Sequence, residues 1–352
     1  MLRLAGGPRE RGAAQALAAP GQIAAVRAAV AMRLRRAEAA GHLSATAAAF
    51  VQEQRRVSAI HVPEALEEIA GIADGFGLSA EDIFAYLHLG TLADLAHAGA
   101  PQSDGCSAWA VAGGPDGPLV VKNRDFRGEH LGLQRIFLHA DPTWSGRRVL
   151  CVGSLGSPGT FSSGMNSDGF ALVDTQVATT DHAPGVLRYF LMSRLLIDCA
   201  GVRDALRLLE TLPHAGGGTL VMADAGGAIA AVELGASRQI VDAGAGWIAR
   251  TNHFTSPELA DTTIPEAGPV SVGASGPRLD ALRSALPRRQ WAVRDAQELM
   301  AGHEDSGGFC RHGEDGDSRT ISNVVFACAH RMLHFSEGFP CSRARRVLRL
   351  PQ

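Results

Sequence analysis

Near about residue 100 the sequence changes texture, and that change constrains the fold more than any other feature. Residues 13–100 are Ala-rich, with apolar side chains at helical spacing and few glycines or prolines between them. Beyond that point short apolar runs alternate with Gly-rich turns: WAVAG, LVVKN, RIFLHA, RVLCVG, FALVD, TLVMAD and AAVEL. That punctuation belongs to strands and hairpins. Helical spacing returns over 187–199, 202–211, 278–285 and 293–301, and TISNVVFACAHRMLHFSEG reads as two last strands. Helices first, then a strand-rich body with helical insertions, predict layered α/β packing around antiparallel sheets. No internal repeat or low-complexity linker interrupts the chain, and the glycines at 216–218 read as a turn.

With 46% hydrophobic residues in 352, the chain can build one large core or two ordinary ones. A net charge of -3 implies no general attraction to nucleic acid or to an anionic membrane. Aromatic residues at 5% are too sparse for a stacking platform. No uninterrupted apolar stretch reaches the roughly 18 residues of a membrane span. The opening MLRLAGGPRERG has no apolar signal region, so a secretory leader is not expected. The six cysteines (Cys106, Cys151, Cys199, Cys310, Cys328, Cys341) form no C-x-x-C pair, and a reduced, cytoplasmic protein is expected.

Two local readings are sharper. PEALEEIAGIADGFGLSAEDIFAYLHL reads as two helices; the first ends near Gly75–Gly77, and Ser79 caps the second above an acidic first turn. SDGCSAWAVAGGPDGPLVVKNRDF reads as a hairpin: strand 107–111, turn GGPDG, return strand 118–123. In a hairpin paired residue numbers share one sum, here about 230 for a turn centred on Pro115. Cys106 then faces Arg124, within one residue, so the hairpin delivers Arg124 or Asp125 to the thiol. A nearby cation favours the nucleophilic thiolate. A half-buried structural cysteine is the competing reading.

Gly105 favours chemistry. Attack of the Cys106 thiol on the preceding carbonyl, followed by hydrolysis, would free a residue carrying both a thiol and an α-amine. Such an amine has a pKa of about 7.7–8.0 and serves as a general base. Nucleophile and base then share one residue, and no histidine is required.

D-G-C-S-A-W followed by K-N-R-D-F resembles the acyl-coenzyme A:isopenicillin N acyltransferase family of N-terminal-nucleophile hydrolases, and is more distantly similar to choloylglycine hydrolases and acid ceramidases. Further blocks carry the resemblance: Gly7-Pro8-Arg9-Glu10-Arg11-Gly12, the Glu64–Leu89 helical segment, Gly164-Met165-Asn166-Ser167-Asp168-Gly169, Thr251-Asn252-His253-Phe254, and Cys310-Arg311-His312 with Thr320-Ile321-Ser322. The resemblance implies an α+β, αββα sandwich of two antiparallel sheets flanked by helices. It also implies self-cleavage between Gly105 and Cys106. Residues 1–105 would stay bound as a helical α chain, and 106–352 would form the catalytic β chain. Cys106 is then the nucleophile, Asp125 the acid beside its amine, Asn252 an oxyanion-hole donor, and Arg311 a cation that polarises the thiol or holds a substrate carboxylate. Arg124, Thr175 and His253 are the residues expected around the substrate. One departure stands out: the hydroxyl residue two after the nucleophile, tied to processing in the penicillin enzyme, is Ala108 here, with Ser107 as its substitute.

The expected activity is hydrolysis of a small N-acyl amide through a thioester. Acyl transfer to an amine is the alternative, and an uncleaved binding protein the non-enzymatic one. A papain-like protease is disfavoured because Cys106 precedes a strand. VGSLGSPG leads into TFSSGMNSDG rather than a helix, which rejects a dinucleotide site. His303, Glu304, Asp305, His312, Glu314, Asp315 and Asp317 lack metal-motif spacing and read as a solvated loop; no metal or cofactor is expected. The basic runs RRQ and SRARRVLR read as solvated faces. A homo-oligomer is left open.

Overall fold

The hairpin around Pro115 pairs Ser107 with Asn123 through to Val111 with Leu119, so its residue numbers sum to 230. Around it, the computed structural model describes residues 1–96, 105–265, 274–313, 318–342 and 344–351. The N-terminal third holds β1 (Leu2–Ala5) and helices α1 (Pro8–Ala18), α2 (Ile23–Ala39), α3 (Ala45–His61), α4 (Pro63–Phe76), α5 (Ala80–Leu87) and α6 (Leu89–Leu95). Then come β2 (Ser107–Val111), β3 (Leu119–Arg127), β4 (Gln134–Ala140), β5 (Arg148–Ser154), β6 (Ser163–Asn166) and β7 (Ala171–Gln176). Helices α7 (Arg188–Asp198) and α8 (Val202–Leu209) precede β8 (Gly218–Ala223), β9 (Ile229–Leu234), β10 (Gln239–Asp242) and β11 (Trp247–Arg250). The chain continues with α9 (Pro257–Ala260), α10 (Ser275–Ala285), α11 (Val293–Met300), β12 (Ser318–Ala327), β13 (Met332–Glu337) and β14 (Arg345–Arg349).

Among the described residues the strands form two sheets, ordered β1-β4-β5-β6-β7-β8-β9-β10 and β11-β2-β3-β12-β13-β14. Strand pleating sends alternate side chains to opposite faces. Ala108, Ala110 and Val120 point between the sheets and meet Leu150, Met165, Val173 and Val221. Trp109 and Val121 point the other way, onto Leu279 and Leu282 of α10 and Met300 of α11. The far face of the larger sheet packs Phe137, Leu172 and Leu220 against Ile72 and Phe76 of α4 and Phe190 of α7. The molecule is therefore an αββα sandwich, as expected. One correction applies to the sheets: β1 pairs with β4 in parallel, so the larger sheet is not purely antiparallel. Between β1 and β4 lie the helical segment and the β2–β3 hairpin of the other sheet, a connection long enough for a parallel neighbour.

The predicted helix ends hold. Helix α4 stops at Gly77, whose φ of 61° is the left-handed conformation of a C-cap. The Ser79 hydroxyl accepts a hydrogen bond from the Asp82 N–H at 2.9 Å, capping α5. Glycines also set the crossing of α1 and α4. A Cβ on Gly71 would stand 1.9 Å from the Arg9 carbonyl oxygen, and one on Gly12 would stand 2.2 Å from that of Glu68. The two backbones touch, and only glycine fits at the crossing. Gly71→Val should lower stability by about 3 kcal/mol, the upper range for overpacking. Urea denaturation of the variant checks this; an unchanged midpoint would contradict the contact.

Candidate active site

Continuing the hairpin register one step places Cys106 opposite Arg124. Cys106 is 6% exposed, and its Sγ lies 3.7 Å from the Asp125 carbonyl oxygen. Gly105 fills the space between Asp125 and Arg311: a Cβ there would meet Arg311 Nη1 at 2.0 Å and Asp125 Oδ2 at 2.6 Å. Any side chain at the step before the thiol would displace both.

Asp125 is fully buried on β3. Its Oδ1 accepts a 2.7 Å hydrogen bond from the Thr320 hydroxyl of β12, which in turn accepts from the Arg311 N–H at 2.9 Å. Oδ2 has no hydrogen-bond donor among the described residues and stands 4.0 Å from Arg311 Nη1. Burial raises the Asp125 pKa to about 6, with Arg311 and Arg278 offsetting part of the shift.

The thiol's opposite neighbour, Arg124, is buried as well. Its guanidinium donates to Gln134 Oε1 at 3.2 Å and Ser154 Oγ at 3.3 Å, between the rings of Phe126 and Phe161. Burial lowers its pKa, and the charge of Cys106 is the largest effect opposing that. Beneath this region Lys122 and Arg188 both hold Asp174, at 2.6 and 2.7 Å, which keeps that carboxylate below its usual pKa despite its burial.

Asn252 is tied to the thiol's residue by a side chain that sequence reading missed. Arg278, fully buried on α10, donates to the Cys106 carbonyl at 2.6 Å and to Ser107 Oγ at 2.7 Å. Its other terminal nitrogen donates to Asn252 Oδ1 at 2.9 Å. Arginine only donates, so this contact fixes the Asn252 amide orientation. The Asn252 NH₂ donates one bond to the Gln176 carbonyl at 2.9 Å, leaving its second N–H. A sequence signal for Arg278 existed: it shares the buried stripe of α10 with Ser275, Leu279 and Leu282. A lone arginine in such a stripe needs acceptors.

Thr175 and His253 lie beside Asn252 and its partners. Thr175 is buried in β7 opposite Thr219, one residue before the carbonyl that holds Asn252. His253 Nδ1 lies 2.7 Å from Ser275 Oγ. The glycine loop after β5 is pinned to the helices: the Gly156 N–H donates to Gln15 and the Gly159 N–H to Glu68. A surface groove of about 470 Å³, lined by Ala25, Ala29, Met32 and Leu133 among others, contains none of the expected site residues. Asp104, Glu314, Asp315 and Asp317 lie outside the described residues. No helix among the described residues is long and apolar enough to cross a membrane.

Two face-to-face sheets lie between helical layers, with a Gly-Cys step just before the first strand of the hairpin in the smaller sheet. Residues 112–341 match the family described as acyl-coenzyme A:6-aminopenicillanic acid acyl-transferase, and the chain belongs to that family. The matched region contains Asp125, Asn252 and Arg311 and begins just after β2. Similar solved structures include a variant of the conjugated bile acid hydrolase from Clostridium perfringens, at 13% identity and a TM-score of 0.46, covering 70% of this chain and 97% of that one. Penicillin V acylase from Agrobacterium tumefaciens is similar at 13% identity and a TM-score of 0.41, covering 70% and 86%. No curated protein matches the sequence.

Proposed function

We propose that this chain is a self-processing N-terminal-cysteine amidohydrolase that cleaves small N-acyl amides. The observation that carries the reading is the incomplete pair beside Gly105. Asp125 Oδ2 and Arg311 Nη1 are both buried without a hydrogen-bond partner among the described residues. Buried polar atoms are rarely left so. An α-ammonium released at Cys106 would supply the donor that Asp125 lacks.

Processing begins when the Cys106 sulfur attacks the Gly105 carbonyl. The C–N bond breaks, the acyl group passes to sulfur, and the Cys106 nitrogen gains a proton. Water then hydrolyses the thioester, leaving 1–105 and 106–352. Strand β1 paired with β4 in the larger sheet, and Ile72 and Phe76 of α4 packed in one core with Phe137 and Leu172, support the two fragments remaining together. In turnover the free amine takes the thiol proton, and the thiolate attacks the substrate carbonyl. The second Asn252 N–H stabilises the oxyanion. The amine leaves with the proton, and water resolves the acyl-enzyme. The Asp125 carboxylate holds and tunes the amine; Arg278 fixes both the Cys106 carbonyl and Asn252.

The description of the matched family favours acyl transfer as the second reading, in which an amine replaces water in the last step. Intact-mass measurement of purified protein tests the first step: two species split before Cys106 are expected. The processed protein is then given N-acyl amines and N-acyl amino acids, with and without an added acceptor amine. A chain that stays whole on incubation and releases no acid from any of them would mark a silent binding protein instead.

A further inference from the structure

Four metal-binding side chains converge outside the site just described. His303, Cys310, His312 and Cys341 each bring one ligand atom to within 4.8 Å of all the others. His303 Nε2 and His312 Nε2 are 3.3 Å apart, Cys310 Sγ and His312 Nε2 3.5 Å, and His312 Nε2 and Cys341 Sγ 3.2 Å. A ring nitrogen has one in-plane lone pair or one proton. His312 Nε2 therefore cannot hydrogen-bond to all three partners at once. A cation at the centre of the four explains the convergence. Tetrahedral zinc, with Zn–N of about 2.0–2.1 Å and Zn–S of about 2.3 Å, requires edges of about 3.3 Å between nitrogens and about 3.5 Å between nitrogen and sulfur. The three separations from His312 Nε2 lie within about 0.3 Å of these edges, and the remaining pairs are within 4.8 Å. The His312 ring is also braced, stacked on Phe339 at 4.0 Å between centroids.

We infer that these four residues form a structural zinc site. Two thiolates and two imidazoles in tetrahedral array select zinc over harder cations. Four protein donors leave no open position for substrate, so the site is a staple rather than a Lewis acid. It joins the segment after α11 to the β13–β14 connection. The ligands Cys310 and His312 flank Arg311, whose N–H reaches Asp125 through Thr320. The metal thereby pins the residue that stands against Gly105. This last consequence rests on the proposed function; metal binding itself does not. The sequence hides the set because Cys341 lies 29 residues beyond His312.

The test uses full-length protein purified under reducing conditions without immobilised-metal chromatography. Elemental analysis should give about one zinc per chain. After zinc removal, titration with cobalt(II) should produce tetrahedral d–d bands and thiolate-to-cobalt charge transfer. His303→Ala and Cys341→Ser change exposed residues, and each should lose the zinc and weaken cobalt binding at least about 100-fold. Chelator should lower the Tm of the parent and leave that of the variants unchanged. Zinc-free protein with reduced thiols that gives no cobalt spectrum would overturn the site. A Cys310–Cys341 disulfide in the freshly purified chain would also overturn it. Cys106→Ala should keep its zinc, so failure of processing and failure of the metal site are read separately.

Discussion

Cys106→Ala should leave the chain whole and inactive. On the proposed mechanism wild-type protein should yield fragments 1–105 and 106–352, whereas the variant should run as one species of 352 residues. In the proposed mechanism, loss of the sulfur removes the attacker of the Gly105 carbonyl and, with it, the later attacker of substrate. Turnover should fall by about 10⁴-fold or more, the loss expected when a covalent nucleophile is deleted. The fold should survive, because alanine is smaller than cysteine and the Arg278 contact is to the Cys106 carbonyl rather than the thiol. Far-ultraviolet circular dichroism and intact mass decide the matter together. A folded variant that still cuts itself before residue 106 would show that another group attacks, and the assignment would fall.

Asp125→Asn should slow processing sharply while making the precursor more stable. The native carboxyl titrates near pH about 6, above the ordinary 3.8, chiefly because it is buried. Between those values the folded chain binds more protons than the unfolded chain, so stability falls as pH rises from 3.8 to about 6. Above that window the full penalty remains, on the order of 3 kcal/mol for a shift of that size. Asparagine carries no charge to desolvate and can still accept the Thr320 hydrogen bond. Arg311 is left without its ionic partner at its buried Nη1, but the side chain as a whole is 25% exposed, so its charge stays partly solvated. The comparison is made on a Cys106→Ala background, so that both chains are uncleaved. At pH 7.5 the double variant should unfold at higher urea than Cys106→Ala alone, and near pH 4 the two should coincide. With Cys106 restored, Asp125→Asn should slow cleavage at least about 100-fold, the scale of positioned acid–base help. A double variant less stable at pH 7.5 would show that ion pairing, not burial, dominates at this carboxylate.

Much of the scaffold was legible because its signals are local. Hairpin arithmetic placed Cys106 opposite Arg124, and the Ser107–Asn123 pairing carries that register. Ser79 and Gly77 act as the cap and stop that their residue types suggest. The elements missed are short or at an edge. Strand β1 has four residues and finds its partner β4 far along the chain, and β14 hides in a basic run whose arginines face solvent. Arg278 and the His303–Cys341 cluster share a different cause. Their meaning lies in contacts between segments distant in sequence, which no spacing rule reports. The contact of Gly105 with Arg311 and Asp125 is of the same kind.

That contact has a bearing on the order of events during synthesis. On the proposed self-cleavage, the scissile bond and the attacking sulfur leave the ribosome early, but Arg278, Arg311 and Thr320 follow much later. A nascent chain that has not emerged past Thr320 holds a substrate and an attacker without the apparatus that aligns them. Scission by the proposed route would then report that translation and folding have reached the C-terminal strands, and chains arrested short of them should stay uncleaved.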